Sequence, residues 1–317
     1  MATDPMENLW RKLRMLKSPL KDLNKEEFKG IEMKLSKARM DLQQVQDQLT
    51  RNGSDTLILL EKKILQDLEK WSNIEESVLK QKSRAKWILL GDGNNQYFSA
   101  VIKERVNRKQ ILILTSLTGV ILSEQKDIKE EILTFYKSLL GSAAQTLPAV
   151  NSVIMRKGPV LNHQQGLQLC RPVTDEEIHA ALVAIGDDKA PGVDGYNAYF
   201  NKKSWPVIKE DIIHATKDFF SSGIMLKVIN CTSITLVPKI PNHSTVKEYR
   251  PIACCTVLYK NIAKVLTSKL QEVISSVISE AQLGFIPGRK IAENIILATE
   301  LVKANQRKHI SLGVWLR

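Results

Sequence analysis

Along the first third of the chain, apolar residues recur at spacings of three and four: Leu35, Ala38, Leu42, Val45 and Leu49, then Leu57, Leu60, Ile64, Leu68, Trp71, Ile74 and Val78. Each series is the stripe of an amphipathic helix. The stretch Arg51-Asn-Gly-Ser-Asp55 between them is turn chemistry. Two stripes joined by a short turn are best satisfied when each helix covers the other, which predicts an antiparallel helical hairpin. Such a hairpin is either packed within one chain or a dimerising or RNA-binding arm.

Beyond residue 110 the pattern is mixed. Residues 111–114 and 120–122 flank a turn at Gly119 and suit a β-hairpin. Ser123 can cap a helix over 127–140, which Gly141 stops. Residues 141–172 contain Pro148, Pro159 and Pro172 and form the predicted linker. Thr174-Asp-Glu-Glu177 is a capping box that opens a helix to about Ile185. An amphipathic helix over 208–220 ends at Gly223, and the β-rich run 231–237 is halted by Pro238. A long helix is predicted over 253–278, with Leu258, Ile262, Leu266, Leu270, Ile274 and Val277 as its stripe, and a last helix over 291–306. The fold class this predicts is α+β, mainly helical. Its expected divisions are a helical region with a basic, aromatic segment (1–110), a small hairpin, helix and linker (111–172), and a C-terminal domain (173–317).

Composition narrows the class. With 317 residues, 43% apolar and 25% charged, the chain is globular and long enough for about two domains. Lys and Arg number 46 against 34 Asp and Glu, a net charge of +12 and a pI near 9.4. That balance favours a polyanionic partner, nucleic acid first and an anionic membrane surface second. The four cysteines have no zinc-ligand spacing and read as reduced thiols, and the five histidines are scattered, so no metal cluster is predicted. The longest uncharged runs, 111–123 and 141–155, fall short of the ~20 apolar residues a bilayer span requires. Residues 1–10 contain Asp4 and Glu7 and no apolar core, unlike a signal peptide. The expected location is intracellular, cytoplasmic and/or nuclear, neither secreted nor membrane-spanning.

The charge is concentrated in places. Between residues 81 and 110, Lys82, Arg84, Lys86, Lys103, Arg105, Arg108 and Lys109 are interleaved with Trp87, Tyr97 and Phe98. Cations displace phosphate counterions and aromatic rings stack on bases, so the mixture suits a single nucleic-acid strand. The alternative is a solvated basic helix face with its aromatics in the core. Gly91-Asp-Gly93 is a turn and not a phosphate loop, because no Lys-Ser/Thr follows it. Lys189-Ala-Pro-Gly-Val-Asp-Gly195 is a tight loop whose amides can face an anion or a template strand, or a simple turn between helices. From 236 to 290, eight cations (Lys239, Lys247, Arg250, Lys260, Lys264, Lys269, Arg289, Lys290) stand against Glu248, Glu272 and Glu280. This is a local positive surface suited to phosphate.

Several of these segments form an ordered series. They are Lys82-Ser-Arg-Ala-Lys-Trp87 with Gly91-Asp92 and Tyr97-Phe98, then the loop 189–195, then Leu236-Val-Pro-Lys239. After them come Tyr249-Arg-Pro-Ile252 with Leu258-Tyr-Lys260 and Ile262-Ala-Lys264, and Gln282 to Arg289 followed by Glu293-Asn294. Over roughly residues 5–310 the series resembles the reverse transcriptases of plant LINE-type (non-LTR) retrotransposons. The resemblance implies a right-hand polymerase of which this chain supplies the N-terminal helical hairpin, the fingers and a partial palm. It implies that Lys239 and Arg250 face the incoming triphosphate or the template, and that Arg289 approaches the template or primer backbone. Lys189 and Asp194 join them as nucleotide- or template-binding residues. Lys82, Arg84, Lys86, Arg105, Arg108, Lys247, Lys260 and Lys264 are the expected further nucleic-acid contacts. The implied partners are an RNA template and a DNA primer, with a deoxynucleotide and Mg2+ in the complete enzyme.

The family's catalytic aspartates lie on a palm strand soon after the last helix and in a later hairpin. No aspartate follows Asp218 here, and residues 308–317 read Lys-His-Ile-Ser-Leu-Gly-Val-Trp-Leu-Arg. The expectation is a polymerase fragment truncated before its catalytic palm motifs, without the thumb or the N-terminal endonuclease, holding no cofactor and inactive alone. The alternative is a non-enzymatic nucleic-acid-binding protein or a non-functional relic of a degenerate element.

Overall fold

Helix α1 (Pro5–Glu27) opens on Asp4, whose carboxylate accepts the N–H of Met6 at 2.8 Å and of Glu7 at 3.3 Å. This side-chain cap satisfies two amides that the first helical turn leaves unpaired. In the computed structural model, residues 4–51, 53–83, 95–141, 149–155, 157–279, 282–284, 286 and 288–305 are described. α1 buries Met6, Leu9 and Leu13 against residues far along the chain, among them Ile178, Tyr196, Ile212 and Ala215. The Tyr196 hydroxyl donates to the Leu13 carbonyl at 2.9 Å. The first helix therefore belongs to the core of the C-terminal half, not only to the helical region its position suggests.

After a turn at Gly30 (φ +78°), α2 (Ile31–Arg51) and α3 (Asp55–Ser83) form the predicted hairpin. Gln46 bonds Glu61 at 3.0 Å near the turn, and the Lys34 ammonium sits 4.1 Å above the Trp71 ring farther from it, so the helices run antiparallel. Ile31, Leu35, Ala38 and Val45 are the buried stripe of α2. α4 (Asn95–Lys109) packs on α3 and buries Phe98.

A short antiparallel ribbon follows, β1 (Leu114–Thr115) with β2 (Ile121–Leu122), then α5 (Gln125–Gly141). α6 (Ser152–Met155) and α7 (His163–Cys170) occupy the predicted linker, and α7 lies against α11 (Val257–Val277) farther on. Arg171 ties this region down, reaching Glu177 at 3.0 Å and Glu272 at 3.1 Å. α8 (Asp175–Val183) carries the predicted Thr174/Glu177 capping box. α9 (Ala198–Lys203) and α10 (Trp205–Ser222) come next, the latter closed by Gly223 at φ +71°.

A second antiparallel ribbon joins β3 (Ser233–Pro238) to β4 (Tyr249–Cys254) and leads into α11, and α12 (Ile291–Asn305) ends the described chain. β1, α5 and the loop between β3 and β4 share a small core of Leu114, Ile128, Tyr136, Val246 and Tyr249. The described residues are mainly helical with two ribbons, as the α+β class implies. Among the described residues no helix is long and apolar enough to cross a membrane.

Two expectations for α11 differ from the structure. Residues 253 and 254 are strand, and the helix starts only at Val257, because residues 249–254 pair with β3 and the Thr256 hydroxyl caps the helix by accepting the Tyr259 N–H at 3.3 Å. The buried stripe also departs from the predicted one. It runs through Leu258, Asn261, Ile262, Val265, Lys269 and Val273, while Leu266 and Leu270 are 39% and 48% exposed. A strict i+4 series advances about 40° per step, so its later members rotate off the core face. Lys269, 5% exposed, takes a core position by donating to the Arg171 carbonyl at 2.7 Å.

Candidate nucleic-acid interface

The β3–β4 register pairs Thr235 with Ile252, Leu236 with Pro251 and Val237 with Arg250. Alternation along a strand sends Leu236 and Tyr249 to one face, which packs on the small core. It sends Thr235, Val237, Arg250 and Ile252 to the other. That face is open: Val237 and Ile252 are 42% and 45% exposed, and Arg250 is exposed. The guanidinium has no ion pair or hydrogen bond among the described residues, so a five-donor fork stands on an apolar floor.

Lys239 and Lys247 flank this face at the ends of the connecting loop. The Lys239 amide donates to the Glu248 carbonyl and its ammonium donates to the Lys247 carbonyl, at 2.7 and 2.6 Å. The Glu248 carboxylate accepts the N–H of Ser244 and of Thr245 at 2.6 and 3.0 Å, and these bonds hold its carboxyl below the usual range. Thr115 donates to the Ser244 carbonyl at 2.7 Å, fastening the loop to the first ribbon. Lys247 is exposed. Lys239, Lys247 and Arg250 therefore share one ribbon and loop.

The loop 189–195 docks elsewhere on the same unit. Gly192 lies so close to the chain where β4 gives way to α11 that a β-carbon there would fall on the backbone of Cys255 and Thr256. The Lys260 ammonium donates to the Ala190 carbonyl at 2.6 Å, so this expected phosphate contact is engaged in fastening the loop. Lys189 is exposed, and Lys264 is half-buried on α11.

Asp194 is buried and accepts the Tyr196 N–H at 3.3 Å. It sits in the joint between loop and α1, away from any open surface. Burial pushes its carboxyl above the ordinary value of 3.8, against the pull of backbone amides and of Lys17. A raised value means the folded protein holds the proton more tightly than the unfolded chain. This contribution is complete below pH 3.8 and is lost as pH rises through the folded value. Asp194→Asn removes the titration. The stability difference, wild type minus variant, is expected to grow as pH is lowered from about 7 to about 4. Urea midpoints read this directly, and a flat difference contradicts it.

Arg289 also turns inward, its Nη1 donating to the carbonyls of Ser279 and Gln282, both at 2.7 Å, which closes its own loop. Lys82 is exposed on the last turn of α3, and Arg105 and Arg108 lie on α4. Arg84 and Lys86 fall outside the described residues. The expected contacts thus divide among the ribbon, the docked loop with α11, and the helical arm. Absent from the expected set are the exposed cations of α1, which a search for charge at helical spacing would find.

Comparison with known proteins bears on the ribbon most directly. Residues 238–313 match the family model described as reverse transcriptase (RNA-dependent DNA polymerase), a stretch holding Lys239, Lys247, Arg250, Lys260, Lys264 and Arg289. Over 232 residues the chain is 27% identical to the transposon TX1 uncharacterized 149 kDa protein of Xenopus laevis. The similarity covers 73% of this chain and 18% of that protein, so the chain spans less than a fifth of its relative's length. By these two likenesses the chain is similar to a reverse transcriptase in its C-terminal quarter, and to a transposon protein over most of its length.

Proposed function

We propose that this chain is the template- and nucleotide-facing fingers portion, with the start of the palm, of a plant LINE-type (non-LTR) retrotransposon RNA-directed DNA polymerase. On this reading its partners are an RNA template and a DNA primer, and the 317 residues bind nucleic acid without polymerising it. The observation that carries the reading is Arg250, which makes no ion pair or hydrogen bond among the described residues on the open face of β3–β4, with exposed Lys247 beside it and the Lys239 ammonium held on the Lys247 carbonyl, inside the stretch that matches the family. A guanidinium fork fits two phosphate oxygens at once, and Val237 and Ile252 offer apolar surface to a base or sugar.

Nucleotide addition in such enzymes needs carboxylates that hold two magnesium ions. The acids described here do not fit that task. Asp194 is buried against a backbone amide, Glu300 pairs with Lys303 at 3.4 Å on exposed α12, and among the described residues no three acids, histidines or cysteines gather as a metal site would need. No step through magnesium is therefore assigned to these residues.

The test joins binding with primer extension. The purified chain should bind a homopolymer template-primer with an affinity that falls steeply as salt rises. It should incorporate no nucleotide when magnesium and deoxynucleotide are supplied. Arg250→Gln should weaken binding roughly tenfold or more, the scale of one charge-assisted contact. Clear incorporation overturns the inactivity, and absence of binding at low salt overturns the interface.

A further inference from the structure

α1 has an exposed side that the core does not use. Arg11, Arg14, Lys17, Lys21 and Lys25 follow one another at spacings of three, three, four and four, and all are exposed. At 100° per residue these five lie within about 120° of arc, on one flank of the helix. Asp22, Glu26 and Glu27 of the same turns fall outside that arc. Among the described residues Arg14, Lys17, Lys21 and Lys25 make no ion pair, and Arg11 reaches only the Asn8 amide oxygen at 3.4 Å. The helix's other basic residue, Lys12, turns to a different side and pairs with Asp211 at 2.8 Å.

Like charges three and four residues apart destabilise a helix on their own, and here they stand without interposed acids. The row is also placed with respect to the loop 189–195. The Lys17 ammonium lies 3.7 Å from where a β-carbon of Gly195 would be, and its charge acts on Asp194. Lys17 stands mid-row: from it the row runs along α1 for about 12 Å to Lys25 in one direction and about 9 Å to Arg11 in the other.

We propose that this flank of α1 is a phosphate-backbone contact surface, which carries a single nucleic-acid strand along the helix past the loop 189–195. The proposal rests on the nucleic-acid reading above and adds a surface to it. A strand fits better than an anionic bilayer. Between Arg14 and Lys25 the arc holds only Ser18 and no apolar side chain to insert, while the apolar face with Met6, Leu9 and Leu13 is buried in the core.

The experiment uses the full chain and three probes: a single-stranded RNA, a DNA of the same sequence, and vesicles containing phosphatidylserine. In the test variant Arg14, Lys17, Lys21 and Lys25 are all changed to Gln. A charge-matched control changes the exposed Lys29, Lys37, Lys62 and Lys63 to Gln. Circular dichroism checks that both stay helical. For the test variant the slope of log affinity against log salt should shrink by about 2–3, at about 0.7 per lost contact, with affinity at low salt falling at least tenfold. The control should keep the wild-type slope. Binding of RNA alone, of DNA alone or of both, lost in the test variant, supports the surface and identifies the strand. Equal losses in test and control, an unchanged slope in the test variant, or row-dependent binding to vesicles overturns it. If Arg250→Gln weakens binding and the row variant does not, only the row fails. If the wild type binds neither strand, the row and the function reading fail together.

Discussion

Gly192→Ala is expected to destabilise the protein by about 1–3 kcal/mol, the usual range for overpacking a filled site. The added methyl would meet backbone, which cannot rotate away as a side chain can. The backbone it meets is also committed. Cys255 follows directly on β4, and Thr256 caps α11 through the Tyr259 N–H. Relief would have to come from lifting the loop 189–195, which would pull the Ala190 carbonyl off the Lys260 ammonium. Gly166→Ala is the natural control, since it lies within α7 with open space around it. There alanine should stabilise by about 0.5–1 kcal/mol. Urea midpoints at constant m-value separate the two cases. Equal midpoints would show that the loop yields freely and is not docked.

Lys260→Met should destabilise by roughly 1.5–3 kcal/mol, the range for a hydrogen bond from a charged donor. Methionine keeps most of the aliphatic stem and removes the ammonium, leaving the Ala190 carbonyl without its donor. The two roles open to this lysine give opposite signatures. As a fastener of the loop, its loss lowers stability and leaves the salt slope of nucleic-acid binding unchanged. As a phosphate contact, its loss reduces the slope by about 0.7 and leaves stability nearly unchanged. The bond to Ala190 predicts the first result.

That ambiguity marks how far the sequence could be read. Elements set by local chemistry were legible: the Thr174 capping box, the stop at Gly223, and the α2–α3 hairpin. Features set by distant partners were not. Cations count alike in a sequence, yet Lys239, Lys260, Lys269 and Arg289 donate to backbone carbonyls while Arg250 faces outward. Strand register decides the last of these, through the pairing of Val237 with Arg250. The strand at 249–254 was hidden because its partner lies across a loop and because Pro251 suggests a turn. The docking of α1 left no local trace, since its stripe of Met6, Leu9 and Leu13 meets partners more than 150 residues away.

That separation bears on how the molecule is made. The residues that bury α1 include Leu258 and Ile262, about 250 positions later in the chain. At 5–20 residues per second, synthesis of that interval takes roughly 10–50 s. During the first part of that time, before Val173 and the residues after it are made, the apolar side of the helix lacks every later partner it has in this core. α1 therefore precedes its partners by this interval and can take its place only once they exist. Assembly of the C-terminal core waits on a long loop closure, which slows folding and leaves a window for a chaperone, or for another nascent chain, to capture the helix first.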